Sequence, residues 1–249
     1  EVRKEFEQEK QELTVKLEEQ VHELMGDRPI NLNSPEQLSW IIYSRKVNDK
    51  PTWAEAYEDR VSNTQHTDNI RRLTTKLYKQ KAERCNECYG SGQIRKTRKD
   101  GTPHKNTNKC PTCSSTGFLY TNKKDFAGLK FIAPDYKWAS ANGFSTSKGN
   151  LIYLEGIARS RGMHDAEVFL QRVRRLSALD TYLSSFVEGI ATHVKPDGML
   201  HVRLLQHRTG TGRLSGADPN MQNMPRGGTF PVKKVFISRW DGGEILEAD

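Results

Sequence analysis

Four cysteines, all between residues 85 and 113, constrain this chain more than any other feature of its sequence. They fall in two pairs, Cys85-x-x-Cys88 and Cys110-x-x-Cys113, separated by 21 residues. A two-residue gap lets both thiolates of a pair face one ion, and two such knuckles complete a tetrahedral zinc site. Gly90, Gly92 and Gly117 follow the pairs, where a tight turn around sulfur needs permissive backbone. The spacing points to metal rather than disulfides, and so to a reducing compartment. So short a segment buries little core of its own, so the ion would hold it folded. Four protein ligands leave no open position, which argues for a structural zinc rather than a catalytic one.

Charge comes next. The 249 residues carry a net charge of +8 and only 35% are hydrophobic. That apolar share suits an elongated molecule, or one lacking a surface it packs against. Residues 1–25 hold eight Glu against four Lys or Arg, so the remainder is more basic than the total suggests. A basic body suits a polyanionic partner, nucleic acid being the commonest; an inert basic surface is the plainer alternative. Between the cysteine pairs stand Arg95, Lys96, Arg98, Lys99, His104, Lys105 and Lys109. They read either as a hairpin that touches DNA phosphate or as a solvated loop tip. No apolar run approaches the ~18 residues of a membrane span, and no signal peptide pattern opens the sequence. The chain starts at Glu1 inside a helical pattern and stops at Asp249 just after a strand-like run, so both ends read as cut.

Periodicity gives a coarse outline. Val2, Phe6, Leu13, Leu17, Val21 and Leu24 mark a long amphipathic helix ending near Gly26. Ser34-Pro35-Glu36-Gln37 is a helix start, in which Ser34 caps and Gln37 reaches back to the cap. Ile70, Leu73 and Leu77 predict a helix across residues 60–84. Further helices are expected from Ser147 and over Asp165–Ile190, with a turn at Lys195-Pro196-Asp197-Gly198. Strands are expected over Met199–Gln206, Val232–Ser238 and Glu244–Ala248, the last two joined by a turn at Asp241-Gly242-Gly243.

Residues 204–225 are dense in amide, hydroxyl and guanidinium groups, which suit phosphate, sugar and base edges. Gly210 and Gly212 would let backbone approach a ligand. The Thr-Gly-Thr-Gly run lacks the spacing and context of a Walker or Rossmann phosphate loop. A polar surface loop would read much the same on these grounds alone.

Thr211-Gly212-Arg213-Leu214-Ser215 and Asp218-Pro219-Asn220-Met221-Gln222-Asn223-Met224-Pro225 resemble the T-G-R-L-S … D-P-N-L-Q-N-I-P signature of family A, DNA polymerase I-like, DNA polymerases. Glu244–Asp249 resembles the approach to that family's motif A, Asn31–Leu38 the opening of its thumb, and Gly143-Phe144-Ser145-Thr146 its G-Y-S-T element. Asp197-Gly198 and His201 fit the strand before the signature, and Phe230–Phe236 looks closer to phage members. Cys85-Asn-Glu-Cys88-Tyr-Gly90-Ser-Gly92 resembles a DnaJ-type cysteine-rich repeat; the second knuckle departs from it, with Ser115 where glycine is expected.

The resemblance implies an α+β fold: a helical thumb with an inserted four-cysteine zinc hairpin, then the first antiparallel strands of a polymerase palm. It divides the chain into 1–84 (connecting helix and N-terminal thumb), 85–120 (zinc-binding insert), 121–195 (thumb helices) and 196–249 (N-terminal palm up to motif A). It implies template-directed DNA synthesis by a nucleotidyltransferase, with primer–template DNA and deoxynucleoside triphosphates as partners, in the cytoplasm of a bacterium or phage-infected cell. Arg213 would reach the minor groove at the primer end, where degenerate acceptors report pair shape rather than sequence. Asn220, Gln222 and Asn223, with Thr211 and Ser215, would contact DNA. Asp249 would be catalytic and ligate magnesium, while Cys85, Cys88, Cys110 and Cys113 take zinc. The plainer roles are an Arg213–Asp218 ion pair, Asn220 as a turn cap and an incidental Asp249. Ala178 departs from the family's basic thumb residue, with Arg172, Arg174 and Arg175 nearby, and Gly216 and Ala217 replace hydroxyl residues. A second acidic residue and the fingers helix follow Asp249 in the family order, so these 249 residues alone are expected to bind primer–template weakly without extending it. A second polypeptide supplying the rest is one expectation. A non-enzymatic zinc protein, DnaJ-like or nucleic-acid binding, is the alternative of a different class.

Overall fold

A computed structural model describes residues 2–58, 72–97, 103–134, 136–224, 230, 232 and 236–245. The chain forms two compact units, one of residues 15–174 and one of residues 1–14 with 175–249. Helix α1 (Val2–Met25) contributes to both.

In the larger unit, α2 (Pro35–Tyr43) starts as its sequence dictates. Ser34 Oγ accepts the Gln37 N–H at 3.4 Å and Pro35 occupies the first turn. Gln37 reaches back further than the cap, its Oε1 accepting the Asn31 N–H at 2.7 Å. The helix buries Leu38, Ile41, Ile42 and Tyr43 and ends on Ser44 in the left-handed region. Strand β1 (Arg45–Val47) pairs antiparallel with β2 (Thr74–Lys76), and α3 (Lys50–Glu58) lies between them in sequence. The segment 139–146, which includes the Gly143–Thr146 element, is pinned to this core by three side-chain hydrogen bonds. Phe144 N–H donates to Ser39 Oγ (3.1 Å), Tyr43 OH to Ser145 O (2.8 Å), and Trp53 Nε1 to Ser140 O (2.7 Å). The Phe144 ring packs between Tyr43 and Trp53, at 5.1 and 5.8 Å between centroids. Short strands β7 (Ala139–Ser140) and β8 (Gly143–Phe144) form the hairpin that presents it. As the sequence predicts, α4 (Lys148–Ser160) begins after the Ser147 cap.

The helix expected over 60–84 is corrected by the fold. Residues 59–71 lie outside the described residues, but 78–84 form strand β3 (Tyr78–Arg84), antiparallel to β6 (Phe118–Phe126). The apolar spacing of Leu73 and Leu77 mimicked a helical stripe. What decides the outcome is a partner strand some forty residues on, which no local pattern reveals. Strands β4 (Gln93–Thr97) and β5 (Pro103–Lys109) form the hairpin between the cysteine pairs. The stalk leaves and re-enters the core beside the end of α2: Leu77 N–H donates to Ser44 O, Ala127 N–H to Leu77 O and Leu129 N–H to Ile41 O, at 2.9, 3.0 and 2.7 Å.

Helix α5 (His164–Thr181) also contributes to both units and, in the smaller one, continues as a π-helical stretch, Tyr182–Glu188, and a short turn, Gly189–Ala191, close to the predicted span. Leu179, Tyr182, Leu183, Phe230 and Val232 form its core, with Phe6, Leu13 and Ala178 packed against them. The Tyr182 and Phe230 rings stack at 4.4 Å. Strands β9 (Arg203–Leu205) and β10 (Ser215–Ala217) pair antiparallel. Only the later part of the predicted 199–206 strand forms. Residues 236–238 and 244–245, expected in strands, lie outside any strand, and their expected neighbours fall outside the described residues. Both predicted turns are present: Gly198 N–H donates to Lys195 O and Gly243 N–H to Trp240 O.

Candidate metal centre and candidate nucleic-acid interface

The four cysteine sulfurs lie within 4.8 Å of one another and all four residues are buried. Cys85 and Cys110 sulfurs are 3.9 Å apart, Cys88 and Cys113 3.6 Å. A tetrahedron with metal–sulfur bonds of about 2.3 Å has edges of ~3.8 Å, so the arrangement fits a four-thiolate ion. Gly92 N–H donates to Cys88 Sγ and Gly117 N–H to Cys113 Sγ, both at 3.3 Å. Burial pushes the Cys88 thiol up, but hydrogen bonds from the Gly92 N–H and from Cys113 outweigh it and bring the group down to about 7. Burial carries Cys110 the other way, to about 12. Four buried sulfurs this close together are a set that a cation would complete by taking them as thiolates.

The two knuckles repeat each other residue by residue. Tyr89, Gly90 and Gly92 have φ of 51°, 85° and 71°; Ser114, Ser115 and Gly117 have 49°, 73° and 79°. Ser115, the departure noted in the sequence, holds the left-handed geometry of a glycine. At Gly92 and Gly117 no side chain fits, because a Cβ would lie 2.4 Å from Ser115 O and Gly90 O respectively.

The signature residues 211–224 fold onto themselves. Arg213 stands on the loop joining β9 to β10, where Gly212 N–H donates to Thr209 O (3.1 Å) and Thr209 Oγ1 donates to Arg213 O. The Arg213 side chain is exposed and has no ion-pair partner among the described residues. Asp218 pairs instead with Arg203 at 2.8 Å, so the Arg213–Asp218 alternative is not what forms. Asn220 caps a 3-10 turn, Met221–Asn223, its Oδ1 accepting the Gln222 N–H at 3.1 Å. Gln222 Oε1 accepts the Gly216 N–H at 2.8 Å. Both amide oxygens are engaged at home, and their NH₂ groups have no partner among the described residues, leaving donors for a ligand. Thr211 is exposed and Ser215 half-buried, while the Asn223 side chain and Asp249 lie outside what is described. The structure therefore gathers Thr211, Arg213, Ser215, Asn220 and Gln222 in one hairpin and its flanking turn.

Upstream, Asp197 Oδ1 accepts the Met199 N–H (2.9 Å) and Oδ2 meets His201 Nε2 (3.2 Å). The Met199 N–H first, then His201, hold the Asp197 carboxyl below its usual range. Two of the three arginines offered for phosphate contact are spent internally. Arg174 binds Glu155 at 2.6 and 2.7 Å, and Arg175 forks onto Glu9 at 2.6 and 2.7 Å while lying over the Phe230 ring. Ala178 packs into the core next to them. Arg172 has no ion-pair partner among the described residues. Sequence reasoning missed the Arg203–Asp218, Arg174–Glu155 and Arg175–Glu9 pairs; their partners are distant in sequence, and only the fold brings them together. No helix among the described residues is long and apolar enough to cross a membrane.

Comparison with known proteins agrees with the signature. The model of DNA polymerase family A matches residues 126–249, which begins at the last residue of β6 and takes in the hairpin bearing Arg213. DNA polymerase I of Streptococcus pneumoniae is 38% identical over 69 residues, 26% of this chain and 8% of that protein. The thermostable DNA polymerase I of Thermus filiformis is 35% identical over 108 residues, 42% of this chain and 12% of its own length. The DNA polymerase of Bacillus phage SP01 is 37% identical over 75 residues, 26% of this chain and 8% of that protein. A solved structure, the POL domain of Pol1 from M. smegmatis in complex with DNA primer-template and dNTP, aligns over 92% of this chain and 24% of its own, at 18% identity and TM-score 0.41. The part of the chain from residue 126 onward belongs to DNA polymerase family A. The matched stretches span about a tenth of these relatives' own lengths.

Proposed function

We propose that this chain serves template-directed DNA synthesis, as the thumb and the start of the palm of a family A DNA polymerase acting in the cytoplasm of a bacterium or a phage-infected cell. The observation that carries the reading is the family match over residues 126–249, whose most specific motif presents an exposed Arg213 with no ion-pair partner among the described residues. In this reading Arg213 and the amide donors of Asn220 and Gln222 lie along the end of a primer–template duplex, where the minor groove offers acceptors for every correct pair. Thr211 and Ser215 add hydroxyl contacts, and Asn223 a further amide. Asp249 is the carboxylate assigned to magnesium, which would neutralise charge developing on the triphosphate. The domain boundaries at 84, 120 and 195 stand on the same reading, and no second polypeptide is proposed.

The test is primer extension by the complete polymerase that carries this sequence. Asp249→Asn should lower the rate by about 100-fold or more. An extension rate that Asp249→Asn leaves unchanged would remove the assignment.

The cysteine cluster is proposed as a structural zinc site. Its support is the sulfur geometry together with the two N–H···S bonds. Metal analysis of the purified chain should find about one zinc per chain, absent in Cys110→Ser.

A further inference from the structure

The β3–β6 stalk and the zinc insert lie largely outside the family match, and their composition is unlike the rest of the chain. Residues 72–130 carry fourteen Lys or Arg against four Asp or Glu, an excess larger than the net +8 of the whole sequence. Of these cations Lys76 and Arg84 bear on one face of the ribbon, and the two faces of the paired strands differ in makeup. Facing residues of an antiparallel pair share a side, and successive residues alternate. One side therefore carries Gln80, Ala82 and Arg84 opposite Asn122, Tyr120 and Phe118. The other carries Lys81 and Glu83 opposite Thr121 and Leu119. The second side balances its own charge, Lys81 lying 3.9 Å from Glu83, and turns Leu119 onto the cysteine cluster. The first has cation, amides and aromatic rings, and no carboxylate in its three pairs. Asp27 stands at its edge, with its carboxylate taken by the Ala82 N–H and His22.

This side is continuous with further groups at both ends. At the tip, Arg84 Nε donates to Tyr89 O at 2.8 Å, which holds the knuckle bearing Tyr89. Tyr89 is 74% exposed and Phe118 42%, so both rings offer a face to a ligand. At the root, Tyr78 and Phe126 stack at 4.9 Å, with Lys76 Nζ 5.2 Å from the Phe126 centroid. A cleft of about 290 Å³ opens there, lined by Lys46, Lys76, Tyr78, Gln80 and Asn122. Rings two residues apart on one strand stand ~6.8 Å from each other, room for unstacked bases with a cation beside each end.

We propose that this side of the ribbon, from the root cleft to Tyr89, is a track for single-stranded DNA: bases stack on Phe118, Tyr120 and Tyr89, and phosphates meet Lys76, Lys46 and Arg84. Aromatic platforms beside a basic groove bind single strands without sequence preference. Duplex DNA hides its base faces and offers this surface only phosphate. The proposal does not depend on the polymerase reading, since none of its residues belongs to the signature.

The test uses the zinc-loaded chain and fluorescence anisotropy with a labelled oligothymidylate of about twenty nucleotides, longer than a ~4–16-nucleotide site, against a hairpin duplex of equal length. The single strand should bind more tightly. Tyr89→Ala, an exposed position whose loss spares the core, should weaken it roughly 5- to 100-fold. Phe118→Leu, which keeps an apolar side chain beside the knuckle, should act in the same direction. Lys81→Ala on the other side should change it less than about twofold. Equal affinity for duplex and single strand, with Tyr89→Ala and Phe118→Leu silent, would overturn the track and leave phosphate attraction alone. Primer–template binding by Arg213→Ala is a separate readout, so either reading can fail without the other.

Discussion

Single residues in the knuckles carry testable strain. Ser115 adopts φ of 73° where its counterpart is Gly90, and an L side chain in that region costs about 1–2 kcal/mol. Ser115→Gly should therefore stabilise the insert by up to ~1 kcal/mol, after the added freedom of the unfolded chain is offset, read as a higher denaturation midpoint of the zinc-loaded protein. Gly92→Ala should do the reverse, since its Cβ would meet Ser115 O at 2.4 Å, and the variant should lose zinc to a chelator that the parent withstands. The cysteine spacing made this centre legible from sequence, and the glycines marked most of its turns. What could not be read is that Ser115 keeps the glycine geometry, because the other knuckle's packing imposes it. Asp27 supplies a pH test. Its carboxyl is held below the ordinary 3.8 by the Ala82 N–H and then by His22. A lowered carboxylate stabilises above its unfolded pKa, and that contribution disappears as pH falls through the folded value. The parent should lose stability on acidification below about pH 4, and Asp27→Asn should show a flatter profile in denaturant titrations over that range.

At the scale of elements, the helices were readable because each carries its own signal: the Ser34 and Ser147 caps, and the apolar stripe of α5. The ribbon was not. Strand β3 finds its partner β6 across the whole insert, and two-stranded pairings of this span leave little trace in local periodicity. The same separation predicts how the insert melts. Its core is the cysteine cluster with Ile94 and Leu119, a group that would bury too little to hold without the proposed ion. Chelation, or Cys110→Ser, should abolish hydrogen-exchange protection across β4 and β5. The Trp53–Phe144 cluster, built from α2, α3 and β8, should keep its near-ultraviolet signal. Joint loss of both signals would show that the insert is not an independent folding element.

Across the whole molecule, the signature was the most legible feature and its surroundings the least. The motif at 211–224 named the family, and the fold then showed that the amide oxygens of Asn220 and Gln222 are used locally, while their NH₂ groups have no partner among the described residues. The arginines of α5 looked available in sequence, yet Glu155 and Glu9 neutralise two of them. The proposed DNA contact in this half of the chain therefore rests mainly on the β9–β10 hairpin. The central claim is that Arg213 meets a duplex end. It is tested most directly by the affinity of the 249-residue chain for a primer–template with a recessed 3′ end, measured by anisotropy for the parent and for Arg213→Ala. The account predicts weakening of roughly 5- to 100-fold in the variant, in line with a lost minor-groove contact. Identical affinity of parent and variant would contradict it.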